Sequence, residues 1–208
     1  MLFKKNKWFG TFRLIIFAFA LFAVINQMFF LHDNNGPLDV VLYFTIQSNI
    51  FVVLFLAMEI YNDFLPGRSF PIRSSVHGAV TLYILITGLV YNLLLAQTWD
   101  PQGMVLVINT ITHTVVPSLF LLDWILTQEK KSYKFKYVFY WLIYPLLYLG
   151  FGSFEGSMTG QFRYFFLDYQ HQSPGSYFAN LFIVLGAFIT VGVLLIGLNR
   201  LYPKKLSK

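Results

Sequence analysis

Long apolar blocks almost without charge, such as the run from Leu181 to Ile196, recur along this chain, and they limit its fold more than any motif does. A block of about 20 such residues is long enough to cross the hydrocarbon of a bilayer as one helix. With 57% hydrophobic, 20% aromatic and only 12% charged residues, the chain reads as an all-α integral membrane protein. Six spans are predicted near residues 12–31, 39–61, 76–96, 104–126, 136–152 and 178–199, each ending at a charge, proline or glycine cluster. Residues 1–208 form one six-helix domain on this reading, with short connections between antiparallel neighbours and one long outer loop, 153–177.

A net charge of +6 and a pI near 9.4 would suit nucleic acid if the basic residues shared one face. They alternate with the spans instead. Lys4, Lys5, Lys7 and Arg13 accompany the start of span one, and Arg68 and Arg73 follow span two. Lys130, Lys131, Lys134 and Lys136 follow span four, and Arg200, Lys204, Lys205 and Lys208 follow span six, leaving Arg163 on the other side. That is the positive-inside pattern, which predicts cytoplasmic N and C termini in a cell membrane of bacterial cytoplasmic type and leaves no basic face for nucleic acid. Asp33, Asp39, Asp100, Glu155 and Asp168 then fall outside. The first segment is expected to remain as a span rather than a cleaved signal, because apolar sequence continues past Ala18-Phe19-Ala20 to Leu31. The absence of cysteine removes disulfides and thiolate metal sites.

Two polar clusters interrupt this apolar background, Thr45-Ile46-Gln47-Ser48-Asn49 in span two and Asn109-Thr110-Ile111-Thr112-His113 in span four. At 100° per residue, Thr45, Ser48 and Asn49 share one sector and Gln47 points elsewhere, while Asn109, Thr112, His113 and the more distant Asp123 share another. Facing lipid would cost a few kcal/mol per polar group, so both stripes should face the bundle interior. At 1.5 Å per residue Thr45 should lie roughly 9 Å and His113 roughly 14 Å below the outer ends of their spans, with Asn49 and Tyr91 at the same level.

A hydroxyl, a neutral imidazole and several amides at one depth are the parts of an acyl-transfer site. Thr45 would attack, His113 would take its proton, and Asn49, Asn109, Ser48 and Tyr91 would supply orienting or oxyanion contacts. No carboxylate is placed to orient the imidazole, so a third member would be Asn109, Asn49, Tyr91 or a residue of another span. The competing readings are interhelical hydrogen-bond glue, a non-catalytic lipid or small-molecule carrier using the same pocket, and a structural subunit.

Phe44-Thr45-Ile46-Gln47-Ser48-Asn49, with His113 followed by Pro117 and Asp123-Trp124, resembles the pattern of bacterial six-span members of the androgen-induced and androgen-dependent membrane protein superfamily. The resemblance covers essentially the whole chain. It implies an intramembrane threonine hydrolase of fatty acid esters of hydroxy fatty acids, with Thr45 as nucleophile and His113 as its partner. Gln47-Ser48-Asn49 follows the bacterial rather than the animal pattern, which leaves the substrate open.

Membrane lipids and a lipid-ester or fatty-acyl substrate are the partners expected. Tyr137, Tyr140, Tyr144 and Tyr148 share one side of span five, as an acyl-chain wall or as a packing face. In the outer loop the run Phe162-Arg163-Tyr164-Phe165-Phe166 reads as an interfacial aromatic anchor or as a lid. No phosphate-binding glycine loop and no His-Glu-x-x-His pattern occurs, so no cofactor is expected. His32 with Asp33 and His171 with Asp168 lack metal-ligand spacing and are expected to be solvated. Glu59, Asp63 and Asp123 are expected to reach water or basic loops at the cytoplasmic boundary.

Overall fold

The computed structural model describes residues 7–31, 36–65, 73–97 and 100–201. Lys4, Lys5, His32, Asp33, Arg68, Lys204, Lys205 and Lys208 lie outside the described residues. Six helices are long and apolar enough to cross a membrane: α1 (Lys7–Phe29), α2 (Phe44–Phe64), α3 (Ser74–Leu95), α4 (Gly103–Thr127), α5 (Tyr137–Thr159) and α6 (Pro174–Leu201). The chain is a multi-pass helical membrane protein by this measure. Side chains such as Leu93, Phe139 and Phe182 stay two-thirds or more exposed, as helices surrounded by lipid tails allow.

The packing divides into two layers that share α3. On one side α1, α2 and α4 close around Ile16, Val52, Leu56, Val116 and Phe120; on the other, α3 meets α5 and α6 around Leu82, Trp141, Phe188 and Ile196. Lys7, Arg73, Lys130, Lys134, Lys136 and Arg200 mark one end of the bundle, called here the basic end.

The long outer connection is shorter than the sequence suggested. Helix α5 runs to Thr159 and ends on Gly160, whose φ of 74° is the left-handed cap that glycine adopts without strain. Gly152, at the expected end of span five, and Gly156, in the expected outer loop, both lie inside α5 and make room for the returning chain: a Cβ on Gly152 would stand 2.9 Å from Leu167, and one on Gly156 would collide with the Phe162 ring. The aromatic run is not an interfacial belt either. Tyr164, Phe166 and Leu167 are buried against the core, and only Phe165 is exposed. Arg163 fastens this segment by paired hydrogen bonds to Asp39 (2.6 and 2.7 Å) and to Glu155 (2.7 and 3.2 Å), with its guanidinium 5.2 Å from the Tyr43 ring. Those bonds, first from Asp39 and then from Glu155, hold the Arg163 guanidinium above its already high ordinary pKa.

Toward the basic end the expectation for the acidic residues is overturned. Asp123 is fully buried and reaches no loop. Arg13, counted in the sequence as a flanking charge, is itself 5% exposed and donates to Asp123 (3.0 Å), Glu59 (2.7 Å), Asp63 (2.9 Å) and the Thr127 hydroxyl (3.0 Å). His77 Nε2 adds a contact of 3.3 Å to Asp123 Oδ2, and its ring stacks on Phe55 at 4.5 Å. One guanidinium fork thus ties α1 to α2 and α4. Replacing Arg13 by Met leaves Asp123 buried without its cation, a change expected to cost about 3–5 kcal/mol; thermal unfolding in detergent micelles measures it.

Candidate active site

Helix α2 does not begin where its apolar block begins. A single helical turn, Pro37–Val40, comes first, and the chain then passes through extended backbone at Tyr43 (φ −78°, ψ 134°) before α2 starts at Phe44. Thr45 therefore sits in the first turn of α2 and not six residues inside a span, whereas His113 is about three turns inside α4. The two meet because the start of α2 is itself drawn into the bundle.

Such a break leaves amides and carbonyls without helical partners, and side chains from other elements supply them. Gln47 Nε2 donates to Val41 C=O (2.9 Å), and the Tyr148 hydroxyl donates to Leu42 C=O (2.9 Å). The amide of Phe44 donates to the Tyr148 hydroxyl oxygen (3.1 Å), and that of Thr45 to the Tyr164 hydroxyl oxygen (3.3 Å). Tyr144 donates in turn to Gln47 Oε1, so Gln47 is committed to the break and away from the site.

The histidine sits in a second irregularity. Pro117 has no amide proton to give the carbonyl four residues back, which is that of His113, and α4 widens to a π turn over Ile111–Val115. The released carbonyl accepts from Asn92 Nδ2 at 3.1 Å. Gly88 permits this approach, since a Cβ there would lie 2.8 Å from the His113 carbonyl oxygen. Thr45 Oγ1 and His113 Nε2 are 3.3 Å apart, and His113 Nδ1 is 3.0 Å from Asn109 C=O. With Nδ1 protonated to donate to that carbonyl, Nε2 is left as an acceptor facing the hydroxyl. The Tyr91 ring stacks on the imidazole at 4.0 Å and fixes its plane.

The four supporting residues cluster around the pair, Asn109 and Tyr91 against the imidazole and Asn49 and Ser48 against the backbone of Thr45. Asn109 orients His113 through its backbone carbonyl, and its amide donates to the Tyr91 hydroxyl (2.5 Å). Asn49 donates to the carbonyls of Thr45 (2.9 Å) and Thr112 (3.5 Å), clamping α2 to α4 without presenting a proton to Thr45 Oγ1. Ser48 bonds Thr45 C=O (2.9 Å) and the Thr87 hydroxyl (2.7 Å). Both protons of the Asn49 amide are thus committed to backbone carbonyls, and the Asn109 amide is turned to Tyr91. Tyr164 was missed as a site residue: its hydroxyl lies 3.4 Å from Thr45 Oγ1. The only sequence signal for it was an aromatic run that suits an interface equally well.

Thr45, His113, Tyr91 and Tyr164 open onto a narrow cavity of about 70 Å³ between α3, α5, α6 and the outer segment, with walls that include Leu146, Leu149, Phe166, Val184 and Phe188. Apart from these polar groups and Thr87 it is lined by apolar and aromatic side chains. Of the tyrosines on α5, Tyr148 lines this cavity, Tyr144 packs against Phe44 and Phe51, and Tyr140 is exposed.

The chain matches no family model, no curated protein and no solved structure.

Gly88→Ala forces a methyl group onto a fixed carbonyl oxygen and is expected to cost about 1–3 kcal/mol. Gly197→Ala, a position on α6 with open space around it, should leave the unfolding temperature within a degree or two of wild type or raise it. Parallel thermal melts of the two variants check the contrast.

Proposed function

We propose that this protein is an intramembrane hydrolase of lipid or fatty-acyl esters, with Thr45 as nucleophile and His113 as general base. The observation that carries the reading is the 3.3 Å approach of Thr45 Oγ1 to His113 Nε2 at the wall of an otherwise apolar cavity. An ester with an acyl chain fits such walls, and the polar pair is the one place where its carbonyl finds chemistry. The resemblance to the androgen-induced and androgen-dependent superfamily points the same way. The basic residues at one end of the bundle support cytoplasmic termini in a bacterial cytoplasmic membrane, which puts Thr45 toward the outer leaflet.

On this reading Asn109 C=O holds the imidazole as its Nδ1–H tautomer, the part a carboxylate plays in serine hydrolases. Thr45→Ala and His113→Ala should each lower turnover of a p-nitrophenyl acyl ester by about 10²-fold or more, and should lose labelling by a fluorophosphonate, at unchanged unfolding temperature. Wild-type labelling of Thr45→Ala would remove Thr45 from the role.

One observation favours a second reading, a non-catalytic lipid carrier: the amides of Phe44 and Thr45 already hold phenol partners and face no ligand unpaired. Thr45→Ser separates the two, since an enzyme keeps turnover through the retained hydroxyl and a carrier changes only its affinity.

The natural absence of cysteine makes topology directly testable. A membrane-impermeant maleimide added to intact cells should label Gln170→Cys and spare Lys134→Cys, both exposed positions. The reverse pattern would invert the orientation.

A further inference from the structure

The acceptors around Thr45 assign the protons at the site. With Nδ1–H of His113 given to Asn109 C=O, Nε2 accepts, so the Thr45 hydroxyl donates to it. Thr45 Oγ1 then has a lone pair to offer Tyr164, whose phenol donates at 3.4 Å while its oxygen accepts the Thr45 amide at 3.3 Å. The direction is Tyr164 O–H to Thr45 Oγ1–H to His113 Nε2, and the incoming amide polarises the phenol at its start. Tyr148 gives its proton to Leu42 C=O, Thr87 bonds Ser48 and Tyr83 C=O, and Asn49 gives its amide to Thr45 and Thr112 C=O, while Tyr91, whose hydroxyl accepts from Asn109, lies against the imidazole rather than against Thr45 Oγ1.

Resting on the hydrolase reading, we propose that Tyr164 is the oxyanion donor of the reaction, a catalytic residue contributed by the outer segment rather than by a spanning helix. When Thr45 Oγ1 attacks, its lone pair forms the bond to the ester carbonyl carbon and its proton passes to His113 Nε2. The carbonyl π electrons move to the carbonyl oxygen. Oγ1 becomes an ether-type oxygen and a weaker acceptor, and the new oxyanion, one carbon away and a far stronger one, takes the hydrogen bond from Tyr164. On collapse the alcohol leaves with the proton from His113, and water, deprotonated by the same imidazole, releases the acid from acyl-Thr45. The phenol keeps its proton throughout.

Position and environment suit the role. Tyr164 is 9% exposed, its ring is stacked on Phe166 at 5.0 Å with 7° between planes, and the neighbouring Arg163 is fixed to Asp39 and Glu155. Burial pushes the Tyr164 phenol above its ordinary pKa, so at neutral pH it remains a donor.

The test is steady-state hydrolysis by the full chain in nanodiscs. Tyr164→Phe, which keeps the ring, should lower kcat by about 10²–10³-fold with KM within about twofold. Affinity for an acyl trifluoromethyl ketone, whose adduct with Thr45 carries an oxyanion, should fall by a similar factor, and affinity for the matching non-hydrolysable ether should not change. A fluorinated tyrosine at position 164, with the hydroxyl retained, should restore most of kcat. Unchanged kcat in Tyr164→Phe, with Thr45-dependent turnover intact in the parent, overturns this assignment alone. Equal losses of ether affinity and of unfolding temperature, with no rescue by fluorotyrosine, assign Tyr164 to packing and overturn it as well. No Thr45-dependent turnover in the wild type overturns the hydrolase reading and this assignment with it.

Discussion

Inside hydrocarbon a backbone group without a partner costs several kcal/mol, so a helix is broken there only where the protein itself completes the pairing. The break ahead of α2, just before the span that begins at Phe44, is completed by the protein in the same way, and the candidate site depends on it. Val41 and Leu42 give their carbonyls to Gln47 and Tyr148, and Phe44 and Thr45 give their amides to Tyr148 and Tyr164. Three elements far apart in sequence therefore converge on one turn of backbone. Thr45 gains from this a position at a helix N-terminus, where the macrodipole favours developing negative charge.

Two of the polar networks in the bundle differ in kind. At the basic end the groups are charged, and Arg13 holds Asp123, Glu59 and Asp63 in one fork, so that removing Arg13 strands the buried Asp123. Around Thr45 the groups are amides, hydroxyls, carbonyls and one imidazole, each fixed by a short list of neutral hydrogen bonds. The first network joins α1, α2 and α4 at one end, and Asn49 with the Thr45–His113 pair joins α2 to α4 at the other. Small shifts of α2 against α4 are thus opposed at both ends.

The spanning helices and the inward-facing stripes that carry Thr45 and His113 were legible because apolar length and helical periodicity act locally. Residues whose partners lie elsewhere in the sequence were not. Span five was ended at 152, short of Thr159, since nothing local announces that Leu167 and Phe162 return to fill the space left by Gly152 and Gly156. Asp123 read as a boundary residue because its cation, Arg13, is 110 positions away. Thr45 was set too deep, as apolarity continues from 39 to 61 without marking the extended residue at Tyr43. Pro117 was visible; its consequence, a freed carbonyl taken by Asn92, needs the neighbouring helix to be seen.

On the hydrolase reading, the lack of a carboxylate beside His113 follows from the solvent. An aspartate in the orienting position would put a full charge into an apolar wall before any substrate arrives, at a desolvation cost that only a paired cation offsets. A backbone carbonyl fixes the same tautomer with no charge at all. The resting site is then neutral, and the two charges of the transition state, imidazolium and oxyanion, appear together within a few ångströms. Attraction between them is stronger in a low dielectric than in water, so the apolar surroundings that exclude a permanent charge stabilise a transient pair. Tyr164 completes that balance because a buried phenol offers a hydrogen bond to the oxyanion without adding a charge of its own.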